Sequence, residues 1–159
     1  MKAGMIVSLL AIVALTASGK PGSAATAPGL ATEGAAADTT IIEVYASNEG
    51  LAFDPNEIRA KAGSIVKLRF VNHTMLPHNI VILKDAKDLD AIGEASFAAA
   101  GTGFVPMQHK ARMVGYSPLA HAGKTVDFTF TMPPPGEYLF VCFVDGHFNA
   151  MIGKLRSRP

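Results

Sequence analysis

The chain has 159 residues, a formal net charge of +1 at pH 7 and 49% hydrophobic residues, which fits one folded domain with additional segments. Acidic and basic residues are equal in number from residue 38 onward, because only Lys2, Lys20 and Glu33 precede that point. This balance argues against nucleic acid as a partner, since nucleic-acid binding needs a basic surface, and it leaves electrostatic steering to local patches.

Residues 1–19 have the pattern of a signal peptide. A positive start at Met1-Lys2 is followed by the apolar run Met5–Ala17 and then by small residues. The run is about 13 residues long, whereas a membrane-spanning helix needs ~20. We therefore expect an exported protein, periplasmic or otherwise outside the cytoplasm. The alternative is an uncleaved leader that tethers the protein to a membrane.

Residues 20–38 are mostly Ala, Gly, Ser, Thr and Pro, and Leu30 is the one large apolar residue among them. Such a composition buries too little apolar surface to offset the entropy of ordering the chain. We interpret this segment as a flexible linker, so that the folded domain comprises residues 39–159. A chain of that length can build one modest hydrophobic core.

Alternating apolar and polar residues beyond the linker predict β-strands. The alternation covers Thr40–Ala46, Ser64–Val71 and Lys124–Thr131, which is typical of strands with one buried face. Two further runs, His78–Leu83 and Glu137–Phe143, are almost continuously apolar, as in strands covered on both faces. The chain is therefore expected to be all-β, as a sandwich or a barrel.

Turn signals and one insertion separate these strands. Lys61–Ser64 and Pro133–Gly136 carry the Gly and Pro residues of tight turns. Asp85–Ala100 has the spacing of a short helix, and Gly101–Pro118 has the composition of a loop. We expect these two segments to form a short helical insertion between two strands of the sandwich.

The strongest chemical signal is a group of three sulfur and nitrogen donors near the carboxyl terminus. Cys142, His147 and Met151 lie within ten residues of one another, and Cys142 is the one cysteine of the chain. An exported chain normally pairs its thiols, so a lone cysteine needs another explanation. A thiolate, two imidazoles and a weak axial thioether are the ligands of a blue copper site. One imidazole is missing from this segment and must come from elsewhere.

His78 is the best candidate among the five histidines of the chain, which are His73, His78, His109, His121 and His147. It follows Pro77 and begins an apolar strand, so its ring can be held at the end of the sandwich. Asn79 follows and can donate or accept hydrogen bonds around the site, as metal ligands generally require. Phe143, Phe148, Pro77 and Met75 are expected to exclude water from the site. Phe148 has two possible places, one packed inward and the other in an exposed apolar patch around the edge of His147, and we favour the second, as a docking patch.

Other chemistries fit this set of residues less well. Structural zinc usually takes four Cys or His ligands, and the present set offers three. A Cys–His nucleophile would leave Met151 and His78 without a role. A trigonal site with a distant thioether suits both oxidation states of copper, so the ligands need to move little when the ion gains an electron. The sequence therefore predicts an electron carrier with no catalytic residue.

The segment Pro134–Cys142, together with His147 and Met151, resembles the cupredoxin family of blue copper proteins and especially the azurins and auracyanins. Four residues separate the cysteine from the histidine and three separate the histidine from the methionine, which is the ligand spacing of the azurins. Phe53–Pro55 is similar to the amino-terminal half of these proteins. The resemblance extends over residues 40–155.

This resemblance implies an eight-stranded Greek-key β-sandwich with one type 1 copper ion at one end. It implies His78, Cys142 and His147 as equatorial ligands and Met151 as the axial ligand, and it implies that Asn79 steadies the cysteine loop. The resemblance also implies that the protein is a monomer and that it shuttles single electrons between redox proteins of a photosynthetic or respiratory chain. The alternative is a copper storage or delivery protein on the same fold.

Two positions depart from the family pattern. Pro77 occupies the place of a glycine in the azurins, which favours a four-coordinate rather than a five-coordinate site. Gly153–Arg156 lacks the apolar alternation of a closing strand. We therefore expect the carboxyl-terminal end to be frayed.

Overall fold

The computed structural model describes residues 39–159; the predicted leader and linker lie outside them. The strands are β1 (Thr39–Ala46), β2 (Phe53–Asp54), β3 (Glu57–Lys61), β4 (Ile65–Asn72), β5 (Val81–Leu83), β6 (Met113–Tyr116), β7 (Thr125–Thr131), β8 (Gly136–Val141) and β9 (Ile152–Arg158). One α-helix, α1 (Leu89–Ser96), and four short 3-10 segments (Ala86–Asp88, Ala100–Thr102, Met107–Arg112 and Val144–Asn149) complete this part of the chain.

The strands form a sandwich of two sheets, which confirms the predicted fold class. One sheet has the strand order β2-β1-β4-β7 and the other has the order β3-β9-β8-β5-β6. The resemblance implied eight strands, and the described residues form nine, of which β2 has two residues. Within residues 39–159, no helix combines the length and the apolar composition needed to cross a membrane.

The first sheet is built on the alternation seen in the sequence. Val66, Leu68 and Phe70 of β4 are fully buried, because side chains on a strand point alternately to its two faces. β4 runs parallel to β1 and antiparallel to β7, and Leu68 lies opposite Ile42 on one side and Phe128 on the other. Each large side chain buried in this way stabilises the fold by about 1.5–3 kcal/mol.

The second sheet is covered on both faces around β5. Ile82 belongs to the core between the two sheets, whereas Val81 and Leu83 pack with the buried Ile92 of α1 in a separate apolar cluster. The predicted insertion therefore contains a helix, as expected, and supplies a lid over the outer face of β5 and β8. This is why the run preceding the insertion is apolar at every position.

Part of the insertion was wrongly predicted as loop. Met113–Tyr116 forms strand β6, which pairs with β5 through Val81 and Tyr116 at the edge of the sheet. A four-residue strand is too short for its alternation to be recognised, and its pairing with β5 is what fixes it.

The expectation of a frayed carboxyl terminus was also wrong. β9 lies between β3, to which it is parallel, and β8, to which it is antiparallel. Gly153, Leu155 and Ser157 point inward in alternation. The sequence does not show this alternation, because two of the inward residues are small. The ring of Phe140 fills the space next to Gly153, and Ser157 Oγ donates a hydrogen bond to the carbonyl of Pro133 at 2.6 Å.

Candidate metal centre

The topology brings together residues that are far apart in the sequence. β5 and β8 are antiparallel neighbours with Val81 opposite Val141, so the start of one strand and the end of the other meet at the same edge. His78 lies just before β5 and Cys142 directly after β8, and the two residues are 64 positions apart. His147 follows in the 3-10 segment Val144–Asn149 that leads toward β9.

Three of the four predicted ligands converge on one point. Cys142 Sγ lies 3.7 Å from His78 Nδ1 and 3.5 Å from His147 Nδ1. All three donor atoms are within 4.8 Å of one another. A triangle of this size matches the bond lengths of about 2.0–2.3 Å that nitrogen and sulfur donors make to a metal ion between them.

Met151, the fourth predicted ligand, is fully buried and belongs to the same core cluster as Cys142. Its backbone is tied to two of the other ligands. The N–H of Met151 donates to the carbonyl of His147 at 2.7 Å, and its own carbonyl accepts from the N–H of Cys142 at 3.1 Å. These bonds fix residue 151 beside the donor triangle.

Asn79 links the two loops that carry the donors. Its Oδ1 accepts a hydrogen bond from the N–H of Phe143 at 2.9 Å, and its Nδ2 donates to the carbonyl of Gly103 at 2.7 Å. Asn79 is fully buried. The role implied for it, steadying the cysteine loop, is confirmed by this hydrogen bond.

Burial keeps the free donors uncharged. It raises the pKa of the Cys142 thiol to about 11, although backbone N–H groups of Asn79 and Val144 lower it in part. Burial, and then the charge of His147, lower the pKa of His78 to about 4. Burial also lowers the pKa of His147, against the opposing effect of Asp145. Metal ions bind neutral imidazoles and thiolates, so the Cys142 thiol would have to lose its proton to hold a metal ion.

The chemistry of this donor set fits copper. A soft thiolate and two imidazoles with a buried thioether nearby are the donors that blue copper sites use. Among residues 39–159, this is the one group of three or more His, Cys, Asp or Glu side chains placed to hold a metal ion.

Water reaches the site from one side. His78, Cys142 and Met151 are buried, whereas His147 is partly exposed. The edge of the His147 ring is therefore the part of the donor set that another protein can approach.

The expectations for the surrounding shell were partly wrong. Phe143 is fully buried, as expected, but Met75 is 87% exposed and excludes no water. Phe148 is 4% exposed instead of lying in a docking patch. Its ring packs against Phe143 and Phe97 at centroid distances of 5.9 and 6.1 Å, in a space that Gly93 of α1 leaves free.

One contact of the site carries no signal in the sequence. Nε2 of His78 lies 3.1 Å from the hydroxyl oxygen of Thr74, which belongs to the loop between β4 and His78. Loop residues follow no periodicity, so only the folded backbone shows that the two side chains meet.

Comparisons with known proteins point to the same chemistry. The family described as copper binding proteins, plastocyanin/azurin family, matches residues 40–157. Auracyanin-A of Chloroflexus aurantiacus is 36% identical over 117 residues, which cover 72% of each chain. A plastocyanin of Synechococcus sp. is 30% identical over 122 residues, covering 76% of this chain and 74% of the relative.

The fold is similar to that of a solved blue copper protein. The structure of auracyanin A, described as a "blue" copper protein from a green thermophilic photosynthetic bacterium, superposes with a TM-score of 0.72 at 35% sequence identity. The match covers 76% of this chain and 100% of the other.

Proposed function

Because the chain belongs to the plastocyanin/azurin family of copper-binding proteins, we propose that it works outside the cytoplasm as a carrier of single electrons between redox proteins. Its cofactor is one type 1 copper ion, and it is an electron carrier rather than an enzyme. The observation that carries the proposal is the convergence of three buried or half-buried donors beside Met151, with a single edge open to water.

His78, Cys142, His147 and Met151 are the residues that would hold the ion. When bound, copper supplies the one-electron couple. The chain supplies a donor arrangement fixed by strand pairing and by the hydrogen bond from Phe143 to Asn79, so that little has to move between oxidation states. Pro77 before His78 supports a four-coordinate site.

The proposed route of the electron follows the pattern of exposure. Since His147 is the ligand that reaches the surface, a partner would dock over its ring edge. Cys142 is fully buried and directly follows β8, so it would connect a bound copper ion with the interior of the protein. The two ligands thus connect the surface with the interior.

The proposed setting rests on the amino-terminal sequence and on the relatives. Residues 1–19 would export the chain or anchor it, residues 20–38 would act as a linker, and residues 39–159 would be the copper domain. A relative from a photosynthetic bacterium supports redox partners in a photosynthetic chain, with a respiratory chain as the other option.

Copper loading tests the proposal. Adding Cu(II) to the metal-free protein should give an intense absorption band in the orange-red region, which arises from the bond between thiolate and copper. Cys142→Ser should abolish the band and leave the circular dichroism spectrum unchanged. His121→Gln, a change of an exposed histidine, should leave the band intact. A colourless Cu(II) complex of the unchanged protein would rule out a blue copper site.

Voltammetry separates electron transfer from copper storage or delivery. An electron carrier should show a reversible one-electron wave and keep its copper through repeated cycles. A delivery protein should instead release Cu(I) to a competing chelator within the same experiment.

A further inference from the structure

We propose that Thr74 is the positioning residue that fixes the tautomer and the ring orientation of His78, and that Asn72 locks Thr74 in that role. The inference rests on His78 being a copper ligand, as proposed above. It concerns hydrogen bonds of the metal-free chain, so it can be tested without copper.

The ring of His78 has two nitrogen atoms with different surroundings. Nδ1 faces Cys142 Sγ at 3.7 Å, and Nε2 faces Thr74 Oγ1 at 3.1 Å. For Nδ1 to bind a metal ion it must carry a free lone pair, so the ring proton must be on Nε2. Thr74 therefore has to accept a hydrogen bond from Nε2.

The neighbours of Thr74 orient its hydroxyl group so that the oxygen can accept a hydrogen bond from Nε2 of His78. The backbone N–H of Thr74 donates to Asn72 Oδ1 at 3.0 Å, which identifies that atom as the oxygen of the amide. The Thr74 hydroxyl lies 2.8 Å from the same oxygen and 3.1 Å from the carbonyl oxygen of Leu76. Both atoms only accept hydrogen bonds, so the hydroxyl proton points away from His78 and a lone pair faces Nε2.

Asn72 is itself held rigidly. It is fully buried, and its Nδ2 donates to the carbonyls of Leu76 at 2.7 Å and Ala120 at 2.9 Å. Both the oxygen and the nitrogen of its side-chain amide are thereby hydrogen-bonded, and the amide cannot rotate without losing these bonds. A rigid Asn72 fixes the direction of the Thr74 hydroxyl.

The contact from Thr74 acts on the ring and is not needed to hold the backbone of His78. The N–H of His78 donates to the carbonyl of Ala120 at 3.0 Å, and the N–H of Ala120 donates back to His78 at 2.8 Å. Loss of the Thr74 hydroxyl should consequently leave the main chain in place and free the imidazole to change tautomer.

The test compares Thr74→Val, which removes the hydroxyl at similar volume, with Thr74→Ser, which keeps it. Thr129→Val on the exposed side of β7 is the matched control. Long-range ¹H–¹⁵N spectra of the metal-free proteins report which nitrogen of His78 carries the proton. We expect the Nε2–H form in the unchanged protein, in Thr74→Ser and in the control, and a mixture of tautomers in Thr74→Val.

Copper titrations of the same proteins give a second readout. Loss of a partner of this kind typically lowers metal affinity 10–100-fold, and we expect a decrease in that range for Thr74→Val alone. An Nδ1–H tautomer in the unchanged metal-free protein would overturn the inference, even if Thr74→Val fails to fold. Unchanged tautomer and affinity in a folded Thr74→Val would also overturn it. Failure of the unchanged protein to bind copper would contradict the proposed function and leave the tautomer result standing.

Discussion

The four proposed ligands differ in how the chain holds them. Cys142 and Met151 have no exposed surface and share backbone hydrogen bonds with their own loop. His78 is held against Ala120, and His147 borders the solvent. A substitution at the buried Met151 should change the reduction potential of the site through the loss of one donor, because it does not admit water.

Replacing Met151 by Leu tests the axial role. Leu has nearly the same volume, so the loss of stability should stay below about 1.5 kcal/mol. Without the thioether the oxidised ion loses a donor, and the reduction potential measured by voltammetry should rise while the blue colour persists. Met132→Leu, at a buried methionine outside the donor set, should leave the potential unchanged. Loss of copper binding in Met151→Leu would contradict an axial role.

The proposed ligands could be identified in the sequence where their chemistry is rare and their spacing short. Cys142, His147 and Met151 are close in the chain, and Pro77 marked His78 among the histidines. Thr74 could not be found in this way, because hydroxyl residues are common in loops and three residues separate it from its partner His78. The buried position of Phe148 likewise depends on α1, which is remote in sequence.

At the scale of elements, α1 braces the loop that carries His147. A Cβ atom at Gly93 would lie 2.5–2.7 Å from the ring atoms of Phe148, the residue next to the proposed ligand His147. The helix and the loop can thus approach each other only because residue 93 has no side chain. This contact ties the insertion to the geometry of the metal centre.

Gly93→Ala should therefore destabilise the protein by about 1–3 kcal/mol, the usual range for an extra methyl group in a packed site. Urea unfolding measures this change, and the electron paramagnetic resonance spectrum of the Cu(II) form should broaden as the loop shifts. Gly101→Ala is a matched control, because a Cβ atom there meets nothing within 4 Å. Equal stability of the two variants would show that the loop adapts without cost.

The position of β9 leads to a second test of packing. Leu155 is fully buried in the core between the sheets, although the sequence around it favoured a frayed end. Leu155→Ala should lower the free energy of unfolding by about 2–5 kcal/mol, as expected for a core leucine. Lys154→Ala, at the exposed neighbouring position, should change it by no more than about 0.5 kcal/mol. A frayed strand would make the two variants alike.

Strands with a regular pattern were predictable, and strands fixed by their neighbours were not. β1, β4 and β7 alternate over seven or eight residues and were expected within one residue of their ends. β6 and β9 depend on pairing with β5 and β8, and the small inward residues Gly153 and Ser157 concealed the alternation of β9. Tertiary contacts override local patterns at such positions.

At the scale of the whole molecule, both sheets and the metal centre are formed by residues 39–159. A chain that begins at Thr39 should hence unfold with the same free energy as the full chain, to within about 0.5 kcal/mol, and bind copper equally. Calorimetry of the two chains, each with and without copper, makes the comparison. A markedly less stable short chain would mean that residues 1–38 contribute to the fold, contrary to their composition.

The contact between His78 and Cys142 has a consequence for the stability of the protein. A copper ion bound to both residues is a clasp that closes a loop of 64 positions. The loop-closure relation for covalent cross-links gives the effect of such a link if the ion stays bound during unfolding. The lower chain entropy would raise the free energy of the unfolded state by about 4 kcal/mol. The ion that carries the electron would then also stabilise the sandwich. A shortage of copper would lower the stability of the protein as well as its capacity to transfer electrons.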